Sequence, residues 1–293
     1  MPLINTSVLM SDANNFSTDL PINPYYHHTP LDLTAARAEH SMIHKLLVQA
    51  GIEVTKVASP VDSQDGVYTA NWALVRGDKA VLARLPNARK AEEAYAEKVL
   101  TNLGKTVVRV PDDLRFSGQG DALPCGDYLF CGSGYRSDEA AQDFAAKTLG
   151  FKRIQLQTIP QLDALNQPVI NMASGWPDSF FYDIDLALAV IKAPAENQKG
   201  LIAYCPAAFT DDSQATLAAL DDIDKIEVSI DEAEYAFATN LVSTGQTVIM
   251  SGRAPKLAAD LRAHGLTVLS PNPDIIELAK GGGFIRCTSL TIV

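Results

Sequence analysis

The feature that most constrains how this chain folds is an internal repeat. An apolar strand, a tight turn, a second apolar strand, a helix and a third short strand recur roughly every 50–60 residues along the sequence. One copy runs from Tyr68 to Val110, and the next runs from Asp121 to Leu156. This period is typical of a radial array of α/β units and differs from the layout of a doubly wound sheet.

The remaining copies complete a ring. A third copy begins with the strand 184–191, and a fourth begins with a predicted strand from Tyr235 to Val242. The fifth joins the C-terminal strand 289–293 to the N-terminal strand 6–10, followed by the helix 33–50 and the strand 53–57. The sequence therefore predicts one α/β domain spanning residues 1–293, with repeated ββαβ units around a central pocket.

Composition narrows the classes of partner and location. The chain has 293 residues, of which 47% are hydrophobic, and a net charge of −11. This acidity disfavours nucleic acid and anionic membranes as partners, since both need clustered Lys and Arg. The N-terminus lacks a secretory signal pattern, and no apolar run approaches the roughly 20 residues that span a bilayer. We expect a cytoplasmic protein, and a homo-oligomer is compatible with this composition.

Neither a metal nor a cofactor is predicted. The four cysteines are scattered, with no CxxC pair and no histidine spacing that suggests zinc. No glycine-rich phosphate-binding fingerprint follows an early strand, so a nucleotide-binding interpretation is weak.

Four polar residues occupy matching positions in the repeat. Asn71, Asp121, Asp185 and Asn240 each lie in or beside an otherwise apolar hairpin strand. Such a side chain costs a few kcal/mol unless it is paired or reaches a polar cavity. A single case is commonly a buried residue bonded to loop N–H groups. Four such residues at the same position of a radial repeat predict a shared central pocket.

A cysteine near the C-terminus, Cys287, follows the glycine triplet 281–283. Three consecutive glycines let backbone N–H groups crowd a small volume that no side chain fills, so a thiol beside them can reach a bound ligand. A thiol next to them is a candidate nucleophile once its thiolate is favoured. The alternative is a small buried residue before the terminal strand 288–293.

Seven segments, in this order, make the chain resemble the guanidino-group-modifying superfamily of amidinotransferases, arginine deiminases, dimethylarginine dimethylaminohydrolases and arginine dihydrolases. They cover nearly the whole sequence and are Ile22–Tyr25, Asp65–Trp72, Arg115–Asp121, Gly134–Asp138, Phe181–Asp185, Tyr204–Phe209 and Gly281–Cys287. The arginine dihydrolase branch is the most similar. The resemblance implies a five-bladed α/β propeller, called a pentein, in agreement with the repeat.

The resemblance also implies the chemistry. Cys287 would attack the central carbon of a guanidinium or amidine group and form a covalent thiouronium intermediate. Carboxylates would hold the planar cation through paired hydrogen bonds. The predicted substrate-binding residues are Asn23, Asn71, Arg89, Ser117, Asp121, Arg136, Asp185 and Asn240, with Arg89 and Arg136 as candidates for the α-carboxylate of an amino acid. Exposed salt bridges are the alternative role for these two arginines.

Two positions depart from the family pattern. The usual His-x-Asp is Asp183-Ile184-Asp185 here, and the usual Glu-Gly-x-Gly-Asp begins with Ser117. Asp183 would then replace the histidine as the acid and base, which requires a raised pKa. His27 and His28 could supply a histidine from elsewhere, although adjacent histidines usually lie on the surface.

Three functions remain open at this level. The first is a hydrolase acting on arginine or an arginine-like compound, and the second is an amidinotransferase that uses an amine acceptor. The third is a catalytically silent ligand-binding relative. The insert Leu162–Ser179 either caps the pocket or braces it, and His40, His44 and His264 are predicted to be structural.

Overall fold

Five small sheets form the framework of the protein. The computed structural model describes residues 3–26 and 29–293, and these ranges contain fifteen strands and six α-helices. Each sheet has three strands. In every sheet the first two strands of the unit pair antiparallel and the last two pair parallel. The five-fold ββαβ repeat predicted from the sequence is therefore confirmed.

Each sheet and the helix that connects its last two strands form one blade of the propeller. The blades follow one another along the chain, and one of the five combines both chain ends. That blade contains β1 (Ser7–Met10), α1 (Leu33–Gln49), β2 (Glu53–Lys56) and the last strand of the chain, β15 (Leu290–Thr291). The next two contain β3 (Ala73–Arg76), β4 (Lys79–Leu82), α2 (Ala91–Asn102) and β5 (Thr106–Arg109), then β6 (Ala122–Cys125), β7 (Tyr128–Gly132), α3 (Glu139–Leu149) and β8 (Lys152–Leu156). The last two contain β9 (Leu188–Lys192), β10 (Gly200–Tyr204), α4 (Asp211–Ala218) and β11 (Ile223–Glu227), then β12 (Val242–Ser243), β13 (Thr247–Ile249), α6 (Pro255–Ala263) and β14 (Thr267–Leu269).

The two ends of the chain close the ring. Val8 in β1 lies opposite Thr291 in β15, and Leu9 lies opposite Leu290, in an antiparallel pair. Leu9 and Leu290 are fully buried with Trp72 of the neighbouring blade. Removing this apolar surface from water is the main favourable contribution to closure.

The predicted strand 235–242 is wrong over most of its length. The helix α5 (Ile230–Ala236) occupies its beginning, and only Val242 and Ser243 form a strand. Ser229 caps this helix, because its side chain accepts a hydrogen bond from the Glu232 N–H. Phe237 ends the helix in the left-handed conformation at φ 52°. The cap at Ser229 therefore favours a helix here, although the apolar pattern of the segment is typical of a strand.

The helices pack on the outer faces of the sheets and fill the spaces between blades. Between the second and third blades, Leu74, Val81 and Leu129 of the sheets are fully buried with Ala141 and Ala145 of α3. Small residues on the helix allow it to approach the strands closely. In the described ranges, no helix is long and apolar enough to cross a bilayer.

One short segment before the first strand of each blade points to the central axis. Asn71 lies in a 3₁₀ turn before β3, Asp121 follows another before β6, and Asp185 lies in a third before β9. Asn240 precedes β12, and Cys287 precedes β15. The strands predicted to begin at Tyr68 and Ile184 therefore start later, at Ala73 and Leu188. Each blade thus contributes one polar side chain at the same place.

Candidate active site

Cys287 lies at the centre of this arrangement. Its Sγ donates to Asp185 Oδ2 at 3.5 Å and accepts from Asn240 Nδ2 at 3.1 Å. The backbone N–H of Cys287 donates to Asn240 Oδ1 at 3.1 Å, so the amide of Asn240 fixes both the main chain and the sulfur. All three residues are buried. The thiol therefore has one orientation and a carboxylate next to it.

Asp183 lies in the same cavity as Cys287 and is held by an amide from another blade. Asn71 Nδ2 donates to Asp183 Oδ2 at 2.7 Å and to Ser117 Oγ at 2.9 Å. Gly120 is needed for this contact, because a Cβ there would lie 2.6 Å from Asp183 Oδ2. The short Ser117 side chain leaves space beside the carboxylate.

Asp121 supports this group from behind and does not line the cavity beside Cys287. Its Oδ1 accepts the backbone N–H of Ile184 at 3.0 Å, which positions the segment between Asp183 and Asp185. Each of these three aspartates has one buried oxygen without a hydrogen-bond partner among the described residues. Buried carboxylate oxygens without a partner are costly, so protonation or a nearby cation would stabilise these groups. Across the described ranges, no three His, Cys, Asp or Glu side chains could hold a metal ion.

The electrostatics of the site favour neutral groups. Burial raises the pKa of Asp185 well above its usual range, and the charge of Asp183 raises it further. Burial likewise raises the pKa of Asp183, while Arg136 is the main group that opposes this shift. Burial and the two nearby carboxylates, Asp185 and Asp183, raise the pKa of the Cys287 thiol. A bound cation would favour the ionised forms of Asp185 and of the Cys287 thiol, because opposite charge lowers the pKa of an acid.

Arg136 is a buried guanidinium with unused hydrogen-bonding capacity. One of its terminal nitrogens donates to the Ile22 carbonyl, while its Nε has no partner among the described residues. Its guanidinium lies over the ring of Tyr182 at 4.9 Å and near the ring of Trp176 at 5.8 Å. Trp176 belongs to the insert 162–179, which therefore braces this arginine.

Arg89 also lines the cavity, but its guanidinium is already engaged. Its Nε and Nη2 donate to the two oxygens of Glu92 at 2.9 and 2.7 Å. Nη1 donates to Asn71 Oδ1 at 2.9 Å, so Arg89 orients the amide that holds Asp183. Burial lowers the pKa of Arg89, but the charge and hydrogen bonds of Glu92 raise it by more, so Arg89 stays ionised.

The mouth of the cavity is narrow in this structure. The free space beside Cys287 is about 10 Å³, which corresponds to about one water molecule. Asn23 closes one wall, where its Nδ2 donates to the Gly281 carbonyl at 3.0 Å and its Oδ1 accepts the Tyr25 N–H at 2.9 Å. An arginine-sized ligand therefore requires movement of the loop that contains Asn23.

The glycine triplet allows close packing of the cavity wall. A Cβ on Gly282 would lie 2.5 Å from Asn23 Oδ1, and a Cβ on Gly283 would lie 2.4 Å from the Tyr68 ring. The Gly282 N–H donates to the Ala279 carbonyl at 3.0 Å. Gly281 lines the cavity beside Cys287.

No described histidine lines the cavity. His40 is buried in α1, and His264 follows α6, where its Nδ1 contacts the Asp260 carbonyl at 2.9 Å. His27 and His28, considered above as alternative catalytic groups, lie outside the described residues. The acid and base that the described part of the cavity offers is therefore a carboxyl group.

Several supporting residues were not among the predicted site residues. Glu92, Tyr182 and Trp176 orient the two arginines, and Arg286 donates to Gln119 Oε1 at 2.8 Å. Arg286 and Asp185 also line a second cavity of about 220 Å³ along the inner strands. Glu92 lies three residues after Arg89, Tyr182 directly precedes Asp183, and Arg286 directly precedes Cys287, so adjacency could have indicated these three. Trp176 is far from Arg136 in the sequence and meets it only in the folded protein.

Comparison with known proteins identifies the family. A profile described as N,N dimethylarginine dimethylhydrolase, eukaryotic, matches residues 27–293. The N(G),N(G)-dimethylarginine dimethylaminohydrolase of Mycobacterium tuberculosis is 32% identical over 280 residues, which cover 94% of this chain and 82% of that protein. The chain belongs to the dimethylarginine dimethylaminohydrolase family. The resemblance stated from the sequence motifs is confirmed.

Arginine dihydrolases are also similar to this chain. The bifunctional arginine dihydrolase/ornithine cyclodeaminase AgrE of Nostoc is 30% identical over 97% of this chain, which spans only 37% of that protein. The solved N-terminal domain of the arginine dihydrolase ArgZ, a cysteine-to-serine mutant bound to substrate, has a TM-score of 0.84 and 25% identity. That match covers 98% of both chains. The pentein fold extends through the whole described structure.

Proposed function

We propose that this protein is a cysteine-dependent hydrolase that cleaves a guanidino or amidine C–N bond of arginine or an arginine-like compound. The observation that carries the proposal is the contact of Cys287 Sγ with Asp185 Oδ2 at 3.5 Å, inside a buried group of carboxylates with unpaired oxygens. A planar cation that donates several N–H groups fits this set. We further propose that residues 1–293 act as one catalytic domain, because the blade with β1 and β15 needs both chain ends.

The substrate is held at its two ends in this proposal. Its guanidinium donates to the unpaired Oδ1 of Asp183, with Asn71 and Ser117 fixing Asp183 in place. Asp185 does not line this cavity and acts through its contact with the Cys287 sulfur. Its α-carboxylate binds the unpartnered Nε edge of Arg136, because a guanidinium fork matches a carboxylate. Arg89 acts indirectly through Asn71. Asn23 and Asn240 order the wall and the nucleophile.

In the first step Cys287 forms a bond with the guanidinium carbon. Binding of the cation favours the thiolate, and the thiol proton passes to the adjacent carboxylate of Asp185. The carbon becomes tetrahedral and then releases one nitrogen as an amine, which takes a proton from Asp183. The carbon is left joined to sulfur as a thiouronium group. One C–S bond forms and one C–N bond breaks.

In the second step water replaces the enzyme on the same carbon. Asp183, now ionised, takes a proton from the attacking water, and the C–S bond breaks as Asp185 returns the thiol proton to Cys287. The proton left on the oxygen of the new ureido group passes to the released amine. The product is a ureido compound and an ammonium or alkylammonium ion. A carboxyl group can act in both directions only when its pKa is raised, and burial raises the pKa of Asp183.

The relatives support the class of reaction. They are named dimethylarginine dimethylaminohydrolase and arginine dihydrolase, and a solved ArgZ variant holds a covalently bound reaction intermediate. The absence of a histidine from the described cavity wall favours a second candidate, a ligand-binding relative that retains the fold without turnover. An amidinotransferase differs from the hydrolase only in accepting an amine in place of water.

One experiment separates these functions. The protein is incubated with arginine, agmatine, methylated arginines and other guanidino acids, and the products are measured by mass with and without an added amine. A ureido product shows hydrolysis, an amidinated amine shows transfer, and no product with retained binding shows a silent relative.

Cys287→Ser should abolish turnover and leave the thermal unfolding transition in place. Cys205→Ser is the matched control, because Cys205 is buried in the core and does not line the cavity. Unchanged activity of Cys287→Ser would remove the nucleophile from the proposal.

A further inference from the structure

A separate pocket of about 250 Å³ lies between the loop containing Tyr25 and the end of α5. Aromatic rings from Tyr25, Phe180, Tyr235 and Phe237 line it. The Tyr25 ring lies 5.5 Å from that of Phe180 at an interplanar angle of 85°, and 4.6 Å from that of Phe237 at 39°. The Tyr25 ring is therefore nearly perpendicular to the Phe180 ring and tilted against the Phe237 ring, so the three rings are not stacked in parallel.

The charged residues around this pocket leave one carboxylate without a partner. Lys280 donates to both oxygens of Glu277, at 2.8 and 2.7 Å, and to the Pro30 carbonyl. Arg253 is paired with Asp274 at 2.7 Å. The Glu234 side chain has no hydrogen bond or ion pair with any other residue in ranges 3–26 and 29–293. Because Lys280 and Arg253 are each paired with a carboxylate outside the lining, Glu234 is the unpaired charge of the described lining.

Tyr25 provides a second indication that the pocket takes a ligand. Its side chain is buried, with 6% of its surface exposed, and its hydroxyl has no partner among the described residues. After burial, the Glu234 charge is the largest cause of the raised pKa of Tyr25, so the hydroxyl stays protonated near that carboxylate. A buried hydroxyl without a partner is unfavourable, and a polar ligand in the pocket would supply a hydrogen bond to it.

We propose that this pocket binds a small N-methylated organic cation, with Glu234 as its counter-ion and the four aromatic rings as its walls. Aromatic faces attract cations, and methyl groups on the nitrogen bury against the same rings. An inorganic cation would find one carboxylate and few other oxygen ligands there. The site is distinct from the cavity beside Cys287, and the inference does not depend on the proposed reaction.

Choline and 3,3-dimethyl-1-butanol form a matched pair of probes, since they share a shape and a hydroxyl and differ in charge. Each is titrated into the protein and followed by NMR chemical shifts. Cation–π attraction predicts that choline binds about 3-fold to 30-fold more tightly than the neutral alcohol. Glu234→Gln should weaken choline binding by about tenfold and leave the alcohol unchanged.

Two further variants locate the site. Tyr235→Leu should weaken choline binding and Tyr235→Phe should retain it, because the ring supplies the attraction. Asp183→Asn should retain choline binding, since Asp183 belongs to the other cavity. Equal affinity for the two probes, loss of choline binding in Asp183→Asn, or no effect of Glu234→Gln would each overturn the proposal. Turnover is not needed for any of these measurements, so failure here is distinguishable from failure of the proposed function.

Discussion

Replacement of Asp183 by asparagine tests whether this carboxyl group moves protons or only binds the substrate. The amide has the same shape, and its oxygen can still accept from Asn71 Nδ2, now 2.7 Å from Asp183 Oδ2. The nitrogen of the amide then takes the place of Oδ1, which has no partner in the described structure. The change therefore removes one charged acceptor and one titrating group while the packing is kept.

The two roles predict different magnitudes. A lost charge-assisted hydrogen bond costs about 1.5–3 kcal/mol, which corresponds to about 10-fold to 150-fold in KM if Asp183 only binds. A lost general acid and base reduces kcat by about 100-fold to 10,000-fold. We expect the loss to fall mainly on kcat, with KM changed less than about tenfold.

Steady-state kinetics over a range of pH measures both quantities. Because burial raises the pKa of Asp183, the wild-type rate should fall as pH rises through that pKa, where the group loses the proton it gives to the leaving amine. This limb should be missing from Asp183→Asn. Asp178→Asn is the control, because Asp178 is buried nearby but does not line the cavity. A variant with altered KM, unchanged kcat and an intact pH limb would show that Asp183 is a binding group.

Three further outcomes follow from the contacts. Arg136→Lys loses the planar guanidinium, so KM for arginine should rise by about tenfold or more. KM for agmatine, which lacks the carboxylate, should change little, and equal losses for both substrates would contradict the assignment. Arg89→Met leaves Glu92 buried and unpaired and should lower the free energy of unfolding in urea by about 3–5 kcal/mol; a loss under about 1 kcal/mol would show that water reaches Glu92. Burial lowers the pKa of His40 from 6.5 to about 4, so the unfolded chain binds the extra proton between these values and stability falls as pH drops through that window. His40→Leu should remove about 3 kcal/mol of this acid sensitivity between pH 7 and pH 4, and parallel curves for wild type and variant would refute it.

The propeller was accessible from the sequence because each blade repeats a local pattern. Alternating apolar strands, tight turns and capped helices are determined by residues close together in the chain, and five copies leave little choice of architecture. The exception is the segment 235–242, where an apolar stretch resembles a strand. There the Ser229 cap and the left-handed Phe237 form and end a helix instead.

The sequence by itself determined the repeat, the closure of the ring by the two chain ends, and the polar positions that face the axis. Tertiary structure alone decided what those side chains do. Glu92 accepts hydrogen bonds from the Arg89 guanidinium, whereas Arg136 Nε has no partner among the described residues. Asp121 accepts the Ile184 N–H next to Asp183, and Asp185 contacts the sulfur of Cys287. The physical reason is that periodicity fixes the direction of a side chain, while its hydrogen-bond partners and burial depend on contacts that form only in the folded chain, often with residues from other blades.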